Sequence, residues 1–402
     1  MTATTVGAAP ELFGLPVEFF LFGLVLLGVA VLHRHATRVA LTGLAIITIY
    51  KLAFAAFPAG PGFAGLLAHG AEEWVILANL MLLLVGFGLL SNHFEQSNVP
   101  EAMPRLLPDN WTGGLALLAM VFVLSAFLDN IAAAVVGGVV AKHVYRGQVS
   151  VGFLAALVAA ANAGGAGSVI GDTTTTMMWI SGISPFAVAP AFVGAIAAFA
   201  VFGTLGALQQ QRHAPIVQHM GPEVRIDWIR GVIVLILLVA IVATNAIGNA
   251  NFPELEHTVP ALGLALWAAL ILTAPLRRPD WSVVPAAAKG AVFLVALVAC
   301  ASMMPVERLP PATWQTTLGL GFLSSVFDNI PLTALAIEQG GYDWGLLAYA
   351  VGFGGSMLWF GSSAGVALTT SFPEGRSVTA WLRQGWFIAP AYLIGFLVML
   401  AF

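Results

Sequence analysis

Apolar runs of about 18 or more residues recur from end to end of this 402-residue chain, each long enough to cross a bilayer as a helix. They predict spans at about 12–32, 38–57, 72–92, 149–181, 185–208, 228–248, 258–275, 284–303, 342–370 and 378–401. A β-barrel is excluded, because its strands would alternate strictly over about 10 residues. Two apolar segments, 111–144 and 313–338, fall outside this count, and each carries the tripeptide Asp-Asn-Ile. The 34 residues of the first would make a straight helix of about 50 Å, too long for one crossing and too short for two with a turn. Two short arms that enter part-way and return fit better, with Asp129-Asn130 and Asp328-Asn329 at the tips.

Basic residues test this reading. With both hairpins counted as non-crossing, Arg34, Arg38, Arg105, Lys142, Arg146, Arg212, Arg225, Arg230, Arg277, Arg278, Lys289, Arg376 and Arg383 fall on one side. Arg308 falls on the other, and Lys51 lies inside a span. Thirteen of fifteen on one side is the bias of a cytoplasmic face. Both termini are then expected on the non-cytoplasmic side of a plasma membrane, the bacterial inner membrane being the expected one.

The order of segments also repeats. Three spans, a hairpin, an interrupted span and a final span occur in 1–208, and again in 227–402 after a linker at 209–226. Five crossings per unit put the second copy upside down relative to the first. The expected fold is therefore all-α and polytopic, with two inverted repeats of five transmembrane helices and one re-entrant hairpin each (111–144 and 313–338). The interrupted helices are 149–181 and 342–370. Inverted repeats with broken helices meeting near the midplane are the architecture of secondary transporters.

Composition sharpens the chemistry. The chain is 59% hydrophobic with a mean hydropathy of +0.93, and only 8% of it is charged. A charge at bilayer depth costs about 2.5–3.5 kcal/mol on insertion scales, so a repeated buried Asp marks an ion or substrate path. The first apolar segment follows Glu11 without a basic flank and is expected to be a span, not a cleaved leader. Cys300, the one cysteine, has no partner in the chain for a disulfide. Lys51 is expected to pair with Glu72 or Glu73 or to extend its ammonium to the surface.

The interruptions are rich in glycine and hydroxyls. The first runs Asn162-Ala163-Gly164-Gly165-Ala166-Gly167-Ser168-Val169-Ile170-Gly171-Asp172-Thr173, and the second contains Gly354-Gly355-Ser356 and Gly361-Ser362-Ser363. At an offset of 190, Gly164, Gly165 and Gly171 match Gly354, Gly355 and Gly361, while Asp172 matches Ser362 and Thr173 matches Ser363. Unwound backbone exposes carbonyls, and with hydroxyls and carboxylates these are hard oxygen donors for a cation such as Na⁺. Two half-sites are expected: Asp129-Asn130 with Asp172-Thr173, and Asp328-Asn329 with Ser362-Ser363. Na⁺ is assigned to Asp129, Asn130, Asp172, Asp328 and Asn329. Two plainer roles compete. Asp or Asn at each tip, most readily Asn130 and Asn329 but also Asp129 and Asp328, would serve as N-cap of the returning arm, and the glycines would serve close helix packing.

Together, Asn162-Ala163-Gly164-Gly165 with Gly171-Asp172-Thr173-Thr174-Thr175-Thr176, Leu128-Asp129-Asn130-Ile131, Phe327-Asp328-Asn329-Ile330-Pro331 and Gly361-Ser362-Ser363-Ala364-Gly365 resemble the signature of NhaD-type sodium/proton antiporters. The chain departs from that pattern at Gly167-Ser168, where the family carries a bulkier pair. The resemblance implies the ion transporter superfamily, which also holds citrate and dicarboxylate carriers and arsenite permeases. It further implies a homodimer, with hairpins and broken helices forming a mobile transport domain that moves as an elevator.

The function expected is exchange of Na⁺ or Li⁺ for H⁺, with Asp129, Asp172 and Asp328 holding cation or proton in turn and Asp172 favoured as the proton carrier. No enzyme activity, cofactor or nucleic-acid partner is expected; lipid, a second copy of the chain and a small cation are. The competing reading is a Na⁺-coupled carrier of organic acids. Three carboxylates with no Arg or Lys in the motif segments weigh against it, because they repel a dicarboxylate.

Overall fold

The computed structural model describes residues 10–32, 35–102, 107–216, 225–251 and 258–402. Arg34, Arg105 and part of the 209–226 linker lie outside the described residues. A two-stranded turn, β1 (Glu11–Leu12) and β2 (Leu15–Pro16), precedes α1 (Val17–Val31). Next come α2 (Ala36–Phe54), a second small turn of β3 (Ala56–Phe57) and β4 (Gly60–Pro61), and the long α3 (Gly62–Glu95). α4 (Val99–Ala102) leads to the first helix–turn–helix, α5 (Trp111–Ser125) and α6 (Asn130–Val144). α7 (Val151–Ala166) and α8 (Thr173–Ile180) form the first interrupted helix, followed by α9 (Pro185–Val188) and α10 (Ala191–His213).

The second half runs α11 (Trp228–Asn251), α12 (Ala261–Thr273) and α13 (Val284–Ser302). Its helix–turn–helix is α14 (Trp314–Ser324) and α15 (Asn329–Gln339). Its interrupted helix is α16 (Trp344–Gly354), a 3₁₀ turn at Gly355–Met357 and α17 (Ser363–Ser371). The chain then reaches α18 (Val378–Gln384) and α19 (Ile388–Ala401).

Among the described residues, five helices are individually long and apolar enough to cross a membrane, and α18 with α19 makes a sixth that bends by 58°. This is the constitution of an integral membrane protein. Some expected spans are shorter than their apolar runs. The span at 12–32 yields 15 helical residues because Phe13 and Gly14 take positive φ in a turn and Pro16 stands at the N-cap. The span at 258–275 yields 13, starting after Pro260. The span at 378–401 is bent where α18 stops at Gly385.

Packing partners recur between the halves. α1 packs on α2 as α11 packs on α12, and α2 packs on α13 as α12 packs on α3. α5 packs on α7 as α14 packs on α16, and α6 packs on α17 as α15 packs on α8. Three helices pack on their own counterparts: α3 on α13, α7 on α16 and α10 on α19. Single hydrogen bonds repeat too. Ser125 donates to the Ala161 carbonyl at 2.5 Å, and Ser324 donates to the Val351 carbonyl at 2.7 Å.

Polar contacts sort to the two ends of the bundle. At one end Arg230 donates to Nδ1 of His93 at 2.9 Å, and Arg277 reaches Asp227 at 2.8 Å. These contacts tie the end of α3 to the start of α11 and the end of α12. At the other end Arg308 meets Glu11 at 3.1 Å and His69 meets Ser302 at 3.1 Å. Lys51 also lies here, and it corrects the expectation: its ammonium donates to the Met303 carbonyl, not to Glu72 or Glu73. The carbonyl left unpaired where α13 ends supplies the partner, and Lys51 is 2% exposed, so it does not reach the surface.

Candidate functional site

Four helix N-termini meet in the middle of the fold. α6 and α15 begin at the two Asp-Asn-Ile tips, and α8 and α17 begin after the two interruptions. Each starts with a polar cap, because the first turn of a helix leaves backbone N–H groups without partners. Asp172 accepts from the Thr174 N–H at 3.0 Å, Asp328 from Ile330 at 3.1 Å and Ser362 from Gly365 at 3.3 Å. Asp129 holds the N-cap position of α6. Of the two residue types expected as caps, the aspartates hold the position, while Asn130 and Asn329 stand one residue inside the helices and do not cap them.

A cavity of about 250 Å³ lies between these ends and the flanks of α3 and α13. Asp129, Asn130, Asp172, Thr173, Asn329 and Ser363 line it on one side; Gly88 of α3 and Ala286, Ala287, Gly290 and Ala291 of α13 line it on the other. A neighbouring cavity of about 220 Å³ takes in Asp328 and shares Ile131 and Ser363. Oγ of Ser363 donates to Oδ2 of Asp328 at 3.2 Å, so one hydroxyl joins the two spaces. No Lys, Arg or His lines either cavity among the described residues. The first borders the second half of α3 and the first half of α13, and the second borders the end of α1 and the start of α2.

The three aspartates do not converge on one point, and no three His, Cys, Asp or Glu side chains form a metal cage among the described residues. Any ion held here takes one or two carboxylate oxygens together with amide and hydroxyl oxygens. Oδ2 of Asp172, Oγ1 of Thr174 and Nδ2 of Asn329 are buried without a hydrogen-bond partner in the structure. Unpaired buried polar atoms are costly, and two of these three residues, Asp172 and Asn329, line the cavity.

The glycines and Ser362 stand behind the cavity. Gly164 and Gly165 close α7 and Gly354 closes α16, so the unwound stretches begin later than expected, at Gly167 and after Met357. Their role is close approach: a Cβ on Gly164 would strike the Phe122 carbonyl, and one on Gly354 would strike the Gly321 carbonyl. Gly165 and Gly355 face the Gly171 and Gly361 carbonyls in the same way. Packing therefore explains these glycines. Sequence reasoning missed the small-residue wall of α13, whose only signal is the cluster Ala286-Ala287-Ala288 with Gly290. It also gave no role to Asn162 and Ser356. Asn130 donates to Asn162 at 3.2 Å and Asn162 to Ser356 at 3.0 Å, joining the first tip to the second interruption.

A bundle of apolar helices with a carboxylate-lined cavity assembled from helix ends is the construction of a membrane transport protein. No family profile matches the chain. Its curated relatives are sodium/proton antiporters, and the similarity to the NhaD type is borne out by several of them. Sodium/proton antiporter 1 of Arabidopsis thaliana is 28% identical over 323 residues, 70% of this chain and 52% of the relative. The Na⁺/H⁺ antiporter NhaD of Vibrio parahaemolyticus is 28% identical over 364 residues, 75% of this chain and 84% of the relative. That of Alkalimonas amylolytica is 26% identical over 338 residues, 70% of this chain and 66% of the relative. The chain thus spans about half the length of the Arabidopsis protein.

Proposed function

We propose that this protein is a sodium/proton antiporter that exchanges Na⁺ or Li⁺ for H⁺ at the cavity between the four helix ends. One observation carries the reading: the charge carried by those ends. Each helix N-terminus acts as roughly half a positive charge, so four contribute about +2. Asp129, Asp172 and Asp328 contribute −3 when ionised, leaving about −1. A site with that balance is neutralised by one monovalent cation or by one proton, and the two exclude each other. Coupling follows without a covalent step. An organic dianion would be favoured by the same four ends with neutral caps, and repelled by these.

The transport cycle is read as an elevator. The halves form two inverted repeats in which 111–144 and 313–338 are re-entrant; the recurring packing partners and the matched caps Asp172 and Ser362 support this. α1–α3 and α11–α13 form the scaffold, and the remaining helices carry the site along the small-residue wall of α13. With the basic end cytoplasmic, both termini lie on the non-cytoplasmic side of a bacterial inner membrane. A homodimer joined through the scaffold is part of this reading.

The test is purified protein in liposomes with a pH-sensitive dye inside. A Na⁺ gradient applied without any organic anion is expected to drive proton movement. Proton movement that requires an added di- or tricarboxylate would overturn the antiporter and favour the organic-acid carrier.

A further inference from the structure

The amide of Asn130 has two unlike ends, a nitrogen that donates and an oxygen that accepts. Its Nδ2 donates to Oδ1 of Asn162, and Nδ2 of Asn162 donates in turn to Oγ of Ser356. Asn162 and Ser356 are fully buried and line neither cavity. Which way amides point in such a chain follows from the partners at its ends. Here Asp172 decides, because the Asn130 amide also approaches that carboxylate, which only accepts when ionised. Turning the Asn130 amide round would set oxygen against oxygen at Asp172 and again at Asn162.

The repeat shows that this chain is particular to one side. At the offset of 190, Asn162 corresponds to Gly352 and Ser356 corresponds to Ala166, neither of which carries a polar side chain. A Cβ on Gly352 would lie 3.4 Å from Oδ2 of Asp172. The volume an amide fills in one half is therefore left open beside the carboxylate in the other.

We propose that Asn162 is a positioning residue for cation binding: with Ser356 it holds the Asn130 nitrogen towards Asn162 and Asp172, so that Asn130 Oδ1 faces the cavity as a ligand for the transported ion. This rests on the antiporter reading. The opposite amide direction would present N–H groups, which suit an anion and repel Na⁺. Asn162 touches no ion itself; it selects which end of Asn130 does.

The experiment measures Na⁺-driven proton movement in liposomes against Na⁺ concentration. Asn162→Leu, near in size and without polar atoms, is expected to raise the half-saturating Na⁺ about tenfold with the maximal rate within about twofold. Asn162→Thr keeps an uncharged oxygen that can accept from Asn130 and is expected to stay within about threefold of the wild type. A lower maximal rate at unchanged half-saturation in Asn162→Leu, or equal half-saturation shifts in both variants, overturns the proposal. If Asn162→Leu does not elute as folded protein, Ser356→Ala is read instead: about a threefold rise is expected, and no rise overturns it. A wild type that moves no protons with Na⁺ alone refutes the antiporter reading; active wild type with unshifted variants refutes the role of Asn162 alone.

Discussion

Moving one carboxylate from its cap in the first half to the matched cap in the second separates charge from position. Asp172→Asn keeps the cap, since the amide oxygen still accepts from the Thr174 N–H, but takes the site from about −1 to about 0. A carboxylate whose charge lies about 4 Å from Na⁺ at an effective dielectric of about 20 contributes roughly 4 kcal/mol. The amide dipole retains part of that, so a loss of about 2.7 kcal/mol is expected, or roughly 100-fold in Na⁺ affinity. Ser362 caps the matched helix, and Asp is as good a cap as Ser, so Ser362→Asp restores the balance from the other side. The double variant Asp172→Asn/Ser362→Asp is expected to recover Na⁺ binding to within about tenfold of the wild type. Binding is read by isothermal titration on detergent-solubilised protein and transport by the dye assay in liposomes, with chromatographic profiles to establish folding. Wild-type Na⁺ affinity in folded Asp172→Asn, or no recovery in the folded double variant, would refute the charge argument.

Gly164→Ala and Gly354→Ala each set a Cβ against a backbone carbonyl and are expected to lower thermal stability by about 2–3 kcal/mol, whereas Gly290→Ala, with open space at its Cβ inside a helix, should unfold at or slightly above the wild-type temperature. Lys51→Met removes the donor to the Met303 carbonyl and should cost about 1–3 kcal/mol in thermal unfolding while leaving the half-saturating Na⁺ unchanged. The hydrogen bond from Arg277 holds the Asp227 carboxyl below its ordinary range. A depressed carboxyl contributes stability above its unfolded value of about 4 and loses it as pH falls further. Asp227→Asn should therefore leave the pH profile of transport between about 6 and 9 unchanged and flatten only the acid limb of unfolding, which a thermal melt series across pH would show.

The tips were legible because Asp129 and Asp328 are charges in apolar surroundings, where composition leaves little room for accident. The offset of 190 was equally legible: it pairs Asp172 with Ser362, and the structure makes both of them caps. Local rules failed where tertiary contact decides. Glycine clusters read as unwinding signals, yet Gly164 and Gly354 are helical and serve the approach of a neighbouring carbonyl. The cap passed to the aspartates because the chain turns one residue earlier than an Asn cap requires. Lys51 found a backbone carbonyl, a partner with no side-chain signature. The wall of α13 was invisible because alanine and glycine carry no chemistry of their own; what matters is the room they leave.

The two hairpins have unequal arms. α5 and α6 hold 15 residues each and α14 and α15 hold 11, which is about 22 Å against about 16 Å. In the re-entrant reading proposed above, tips that enter from opposite faces through arms of different length meet off centre. Moving one elementary charge through a full transmembrane voltage of 100 mV is worth about 2.3 kcal/mol, and an off-centre site divides that work unevenly between loading and release. In that reading the shorter arm sets which half of the proposed transport cycle the membrane voltage governs.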